Sequence, residues 1–174
     1  MRYVYLFLCY LGLLAVPNPA LSSPLQLSSE SSPAEFVQNL GQWPAPVRFA
    51  TALRGGQLFA EARALTYVLA APGPATEGSP HEHGLVPARA WAYQVQFVGA
   101  AEADIIGQQA SGVAHGYFAG RDPAHWVGQA PGYGRVTYTG LYAGIELAVH
   151  SNEQAQLEYT FRVQPGGQPA AVRL

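Results

Sequence analysis

The sequence predicts an all-β protein: an antiparallel β-sandwich with at most one or two short helical turns. Three observations carry that expectation. Apolar and polar residues alternate with period two, most clearly in Ile145-Leu147-Val149 and Leu157-Tyr159-Phe161-Val163, and that period marks a strand with one buried face. Glycine and proline, 19 and 14 in number, cut the chain into short segments at near-regular spacing, as in a sandwich or barrel. No period of roughly 20 to 50 residues repeats, which argues against a solenoid or propeller within the chain.

The first residues predict export. Arg2 is followed by an uncharged, mostly apolar run from Tyr3 to Val16, and Ala20-Leu21-Ser22 places small residues before a cut at Ser23. This is the layout of a signal peptide over 1–22. The run is shorter than the about 20 residues that cross a bilayer, so no membrane-spanning segment is expected in the mature chain. Cys9, the only cysteine, lies inside the run, and the mature chain then has no disulfide, thiol nucleophile or zinc thiolate. Net charge is −2 and all nine basic residues are arginine. Nucleic-acid binding is not expected without a basic patch, and P-loop or Schiff-base chemistry has no lysine to use.

Residues 23–35, Ser/Pro-rich and without periodicity, read as a flexible leader. The β-sandwich domain spans 36–174. In its first segments Asn39-Leu40-Gly41 forms a bend, and Val47, Phe49 and Leu53 are inward candidates. Gly55-Gly56 makes a turn with positive φ expected at both glycines, and LTYVLAA is apolar on both sides, as for a strand buried on two faces. Residues 71–87 form a surface loop rich in breakers. Trp91, Tyr93, Val95 and Phe97 then share one face of a strand, and Ile105 to Gln109 form a short one.

Asp122-Pro123 predicts an N-cap with proline at the first helical position, hence one turn over Ala124-His125-Trp126, with the Trp126 indole closing an end of the core. A hairpin follows. Apolar pairing of Ile145/Val163, Leu147/Phe161 and Val149/Tyr159 sets Glu146 opposite Arg162 and His150 opposite Glu158. After a PGGQP turn, Ala171 to Leu174 begin a further strand, so the domain is expected to be truncated at its C-terminal end.

Candidate chemistry is sparse. His81-Glu82-His83 lacks a third ligand and the HExxH spacing of a zinc helix. Glu146 and Glu158 would form a glycosidase pair only across a cleft, and their charged cross-strand partners are a structural reason for both. Ser111 sits in QQASG, outside the GxSxG elbow, and His115, His125 and His150 are scattered. Asp104 and Asp122 are too few for repeated calcium loops. No catalytic residue, metal or cofactor is expected. The aromatic cluster contains Tyr117, Phe118, Trp126, Tyr133, Tyr138 and Tyr142; of these Tyr117, Trp126, Tyr133 and Tyr142 are the candidates for stacking on sugar rings, set against a role in the core.

FVQNLGQWP, HGYFAGRDPAHW, YGRVTYTGLYAGIELAVH and LEYTFRVQPGGQP, in that order, resemble a bacterial domain of unknown function. That family occurs near the N-terminus of large secreted proteins, before β-propeller (SBBP-type) repeats or modules linked to gliding motility and type IX secretion. The chain departs from it at Arg121, Ala143 and Glu146, where the family tends to carry Asn, Pro and Asp. The resemblance implies a secreted or cell-surface location and supplies no catalytic residue. Together with the all-β pattern it leads to a non-catalytic structural or adhesive module. A carbohydrate-binding module and a secreted hydrolase are the alternatives, with downstream propeller repeats or surface glycans as partners.

Overall fold

The structure, a computed structural model, describes residues 33–72 and 87–174. The signal peptide over 1–22, all but the end of the leader, and His81-Glu82-His83 lie outside the described residues. Among the described residues there are nine strands: β1 (Phe36–Gln38), β2 (Val47–Leu53), β3 (Gly56–Glu61), β4 (Ala64–Pro72), β5 (Pro87–Gln96), β6 (Asp104–Tyr117), β7 (Val127–Tyr142), β8 (Ile145–Ser151) and β9 (Leu157–Val163). The fold is all-β, with single 3-10 turns at Pro123–His125 and Pro169–Ala171. All pairings are antiparallel within one curled sheet ordered β5-β4-β3-β2-β1-β7-β8-β9, and β6 pairs with β7.

The long strand β7 is where the sheet divides. Its Tyr133 pairs with Ala110 of β6 on one edge and Phe36 of β1 on the other. Further along, the edge used by β1 is taken by β8, from Arg135↔His150 onward. One branch therefore leads through β1 to β5 and the other through β8 to β9.

Curling buries the first strands on both faces. Phe36, Phe49, Leu58, Ala60 and Leu65 join Val136, Tyr138, Leu147 and Val149 in the larger core. The residues between them, Val37, Ala50 and Phe59, face a second core with Trp43, Val47 and Ala130. Val47 and Phe49, two apart and expected on one face, enter opposite cores because the register shifts between them. The extra residue of a bulge reverses the side-chain direction. The β6–β7 hairpin serves both cores, offering Val136 and Tyr138 to the first and Tyr117, Val127 and Ala130 to the second.

Asn39 organises the bend after β1. Its amide donates to the carbonyls of Trp43, Pro44 and Val47 at 3.0, 3.2 and 2.8 Å, while its oxygen accepts from the backbone N–H groups of Gly41 and Trp43. The C-terminal segment differs from the expected strand. Proline at 169 removes a ladder donor and presets a turn, and Ala171 lies in that turn. The Arg173 carbonyl then accepts from Val98 N–H and the Tyr142 hydroxyl, which ties the segment across the end of the larger core.

Tyr138 is fully enclosed against Phe97, yet its hydroxyl has no hydrogen-bond partner among the described residues. Burial first, and the charge of Glu61 second, push its pKa far above the ordinary value of 10.0. The folded state thus holds this proton more tightly than the unfolded chain. The resulting stability is complete below the unfolded pKa and is lost as pH rises above it. Tyr138→Phe is expected to be neutral or stabilising by about 1 kcal/mol at neutral pH, because an unpaired buried hydroxyl is removed. Above about pH 10 the variant should also lack one proton's share of alkaline destabilisation, about 1.4 kcal/mol per pH unit. Urea unfolding across that range checks both, and a variant clearly less stable at neutral pH would mean that the hydroxyl has a partner.

Candidate functional site

A polar cleft of about 530 Å³ lies on the face of β6–β9 opposite the larger core, lined by Gln109, Gly134, Arg135, His150, Ser151, Asn152, Glu153, Gln154 and Glu158. Its floor follows from strand register. Arg135 of β7 faces His150 of β8, and His150 faces Glu158 of β9, so period two brings all three to one sheet face. Its wall is the turn after β8. There the Asn152 side-chain oxygen accepts from Gln154 and Gln156 N–H at 3.0 and 2.9 Å, and this Asx turn holds Glu153 and Gln154 beside the floor.

Two features of the cleft carry unspent chemistry. Arg135 Nε is sealed from solvent with no hydrogen-bond partner among the described residues, and a buried unpaired donor is costly. Gln109 has φ 58, a left-handed conformation unusual outside glycine, asparagine and aspartate. Its side chain lies over Gly134, where an added Cβ would come within 3.2 Å of Gln109 Oε1. Neither feature is signalled by residue type: arginine in an alternating strand reads as a solvated side chain, and glutamine does not mark a left-handed position.

The hairpin residues take the register set by their apolar alternation. Glu146 faces Arg162 with their charged atoms 3.8 Å apart, and Arg162 is largely exposed, so the pair is worth less than about 1 kcal/mol. His150 faces Glu158 in register but spends its ring elsewhere. Its Nδ1 lies 3.0 Å from the Ser151 carbonyl and its Nε2 3.3 Å from Thr160 Oγ1. A carbonyl only accepts, so Nδ1 carries a proton and donates it to Ser151.

The four stacking candidates separate. Tyr142 is buried, with its hydroxyl donating to the carbonyls of Val98 and Arg173. Tyr133 packs edge-on to Phe49 at 5.8 Å, and Tyr117 edge-on to Trp43 at 5.0 Å. Burial, and then Glu35, raise the Tyr117 pKa. Trp126 is 45% exposed, against Phe118 at the tip of the β6–β7 hairpin. It does not close the core, because the tip runs past the core's end. The N-cap beside it is as expected: Asp122 Oδ1 accepts from Ala124 N–H at 3.0 Å ahead of the 3-10 turn.

A second polar group lies where the leader meets the sheet. Glu35 Oε2 sits 3.2 Å from His115 Nε2. Ser111 Oγ donates to the Gly132 carbonyl at 3.3 Å, and a Cβ at Gly132 would collide with Glu35 and Ser111. Glu35 joins this group only through β1–β7 pairing, which local sequence does not reveal. His125 is held apart, with Nδ1 3.1 Å from the Gly41 carbonyl. Among the described residues no group of three or more His, Cys, Asp or Glu is placed to hold a metal, and no helix is long and apolar enough to cross a membrane.

An all-β domain built on one curled antiparallel sheet, with a polar cleft on its outer face, is thus the class of protein defined here. Residues 36–174 match the family model described as Domain of unknown function (DUF7948), and the chain belongs to that family. No curated protein and no solved structure matches it.

Proposed function

We propose that this domain is a non-catalytic structural or adhesive module of a secreted or cell-surface bacterial protein. In this reading it is exported by the signal peptide over 1–22 and placed beside β-propeller repeats or secretion-linked modules. The observation that carries the reading is the use made of the hairpin's polar residues. Glu146 is paired with Arg162, and both ring nitrogens of His150 are engaged by Ser151 and Thr160, so these groups fix strand register instead of meeting a substrate. Purified protein incubated with polysaccharides and with peptides is expected to release no reducing ends or amines above a protein-free blank. Turnover abolished by Glu158→Gln would replace this reading with a secreted hydrolase.

A carbohydrate-binding role is the second reading, favoured by the gathering of Arg135, Gln109, Gln154 and Glu158 in the cleft lining. Guanidinium, amide and carboxylate groups together supply donors and acceptors for vicinal hydroxyls. A glycan array is the test. Binding that falls at least about tenfold, or about 1.4 kcal/mol, in Glu158→Gln and is unchanged in Trp126→Ala would place surface glycans in the cleft. No binding to any glycan would leave the structural module alone.

A further inference from the structure

We infer that β5 is an association edge at which a second copy of this chain adds its own β5, antiparallel, about a twofold axis. Three strands have an edge unpaired among the described residues: β5, β6 and β9. Two of them carry features that discourage pairing. On β6 the register shifts between Ala110 and Ala114, near positive φ at Gln109 and Gly112. On β9 the strand is short and charged, with Glu158 and Arg162 along it.

On β5 such features are confined to its first residue, Pro87, where the register with β4 also shifts. Its pairing with β4 runs without a break from Ala64↔Gln96 to Ala71↔Arg89, and Arg89 is its only ionisable group apart from Tyr93. Trp91 and Tyr93 lie on one face of it, 55% and 43% exposed, with the Tyr93 ring stacked on Tyr67 at 4.6 Å and 5°. A long, unbroken and apolar edge strand is a template for another strand.

The sequence of β5 selects its own copy as the occupant. With Ala92 facing Ala92 of the second copy, Trp91 faces Tyr93 and Tyr93 faces Trp91, giving two aromatic cross-strand pairs related by the twofold. Arg89 then faces Val95, so no like charges meet. The neighbouring register, centred on Tyr93, offers one aromatic pair in place of two, Tyr93 with its own copy, and sets Arg89 against the buried Phe97. A single strand edge with four half-exposed rings buries less than about 1,200 Å², the range of weak and reversible association.

The test uses the full chain with Cys9→Ser. Sedimentation equilibrium should show reversible dimers, twice the 18.6 kDa of the chain. Trp91→Lys should raise the dissociation constant at least about tenfold with unchanged circular dichroism. Ala92→Cys should form a disulfide dimer with oxidised glutathione, because opposed Cα atoms lie about 4.5–5.5 Å apart. Gln96→Cys should not, since the two copies of that residue would be about 27 Å apart along the strands. A monomer at the highest soluble concentration, a dimer insensitive to Trp91→Lys, or crosslinking at 96 in place of 92 would overturn the inference. Should Trp91→Lys fail to fold, the two cysteine variants decide alone.

Discussion

Replacing Trp43 with alanine is expected to cost about 4 kcal/mol, among the largest effects of any single substitution in this domain. The indole is 5% exposed. It stands edge-on to Phe59 at 6.2 Å and to Tyr117 at 5.0 Å, the centre of a small core that also contains Val37, Val47, Ala50 and Ala130. A core of so few side chains has little material with which to refill the space, so the transfer loss and the cavity term both apply. Domains of this size are stable by only about 5–15 kcal/mol, and the variant should unfold at much lower urea. Tyr117 belongs to β6, and through it the indole fixes the outer half of the β6–β7 hairpin against β3. Trp43→Ala should therefore also increase hydrogen exchange in residues 114–130 ahead of global unfolding. Trp91→Ala, at an exposed position, should change monomer stability by no more than about 0.5 kcal/mol. Equal losses in the two variants would mean that Trp43 does not hold a core.

The parts of the fold legible in the sequence are those in which neighbouring residues settle the outcome. The β8–β9 register follows from two alternating runs and a short turn, because a slip by one residue would expose every apolar side chain in both strands. The Asp122 cap is similarly local. What stayed hidden depends on contacts between distant segments. Val47 and Phe49 read as one face until the bulge at Arg48 separates them, and β6 reads as a short strand because its outer half is polar and glycine-rich. That half is held as a strand by pairing with β7, through Ala114↔Pro131 and His115↔Ala130. The candidate site shows the same division. His150 and Glu158 were legible from register, whereas Arg135, Gln109 and Glu35 reach their places only through the β6–β7 and β1–β7 pairings. Residue type alone puts Trp126 in the core, although nothing in the neighbouring sequence specifies how far the hairpin extends.

Gly56→Ala is expected to cost about 3 kcal/mol or more, for a reason different from the one the Gly55-Gly56 pair suggests in sequence. The pair predicts positive φ at both glycines; only Gly55 has it, at φ 77. Gly56 is the first residue of β3, paired with Leu53 and Leu69, and its requirement is for space. A Cβ there would lie 2.2 Å from the Val68 carbonyl oxygen and 3.0 Å from Leu69 Cα. Those atoms belong to the backbone of β4, so relief requires moving a strand rather than turning a side chain, and overpacking of this kind lies at the upper end of its usual cost. Gly55→Ala meets nothing nearer than the Ala70 carbonyl at 3.8 Å, and should lose only the about 1–2 kcal/mol of a left-handed alanine. Urea unfolding of the two variants should rank Gly56→Ala as the more damaging. Because β4 also carries Tyr67 beneath Tyr93, displacing it should disturb β5 and weaken dimerisation at that edge in whatever fraction still folds. Gly55→Ala should leave dimerisation unchanged. If Gly56→Ala proves as mild as Gly55→Ala, the close approach of β3 to β4 is looser than the geometry gives, and positive φ at Gly55 becomes the main reason for glycine in this turn.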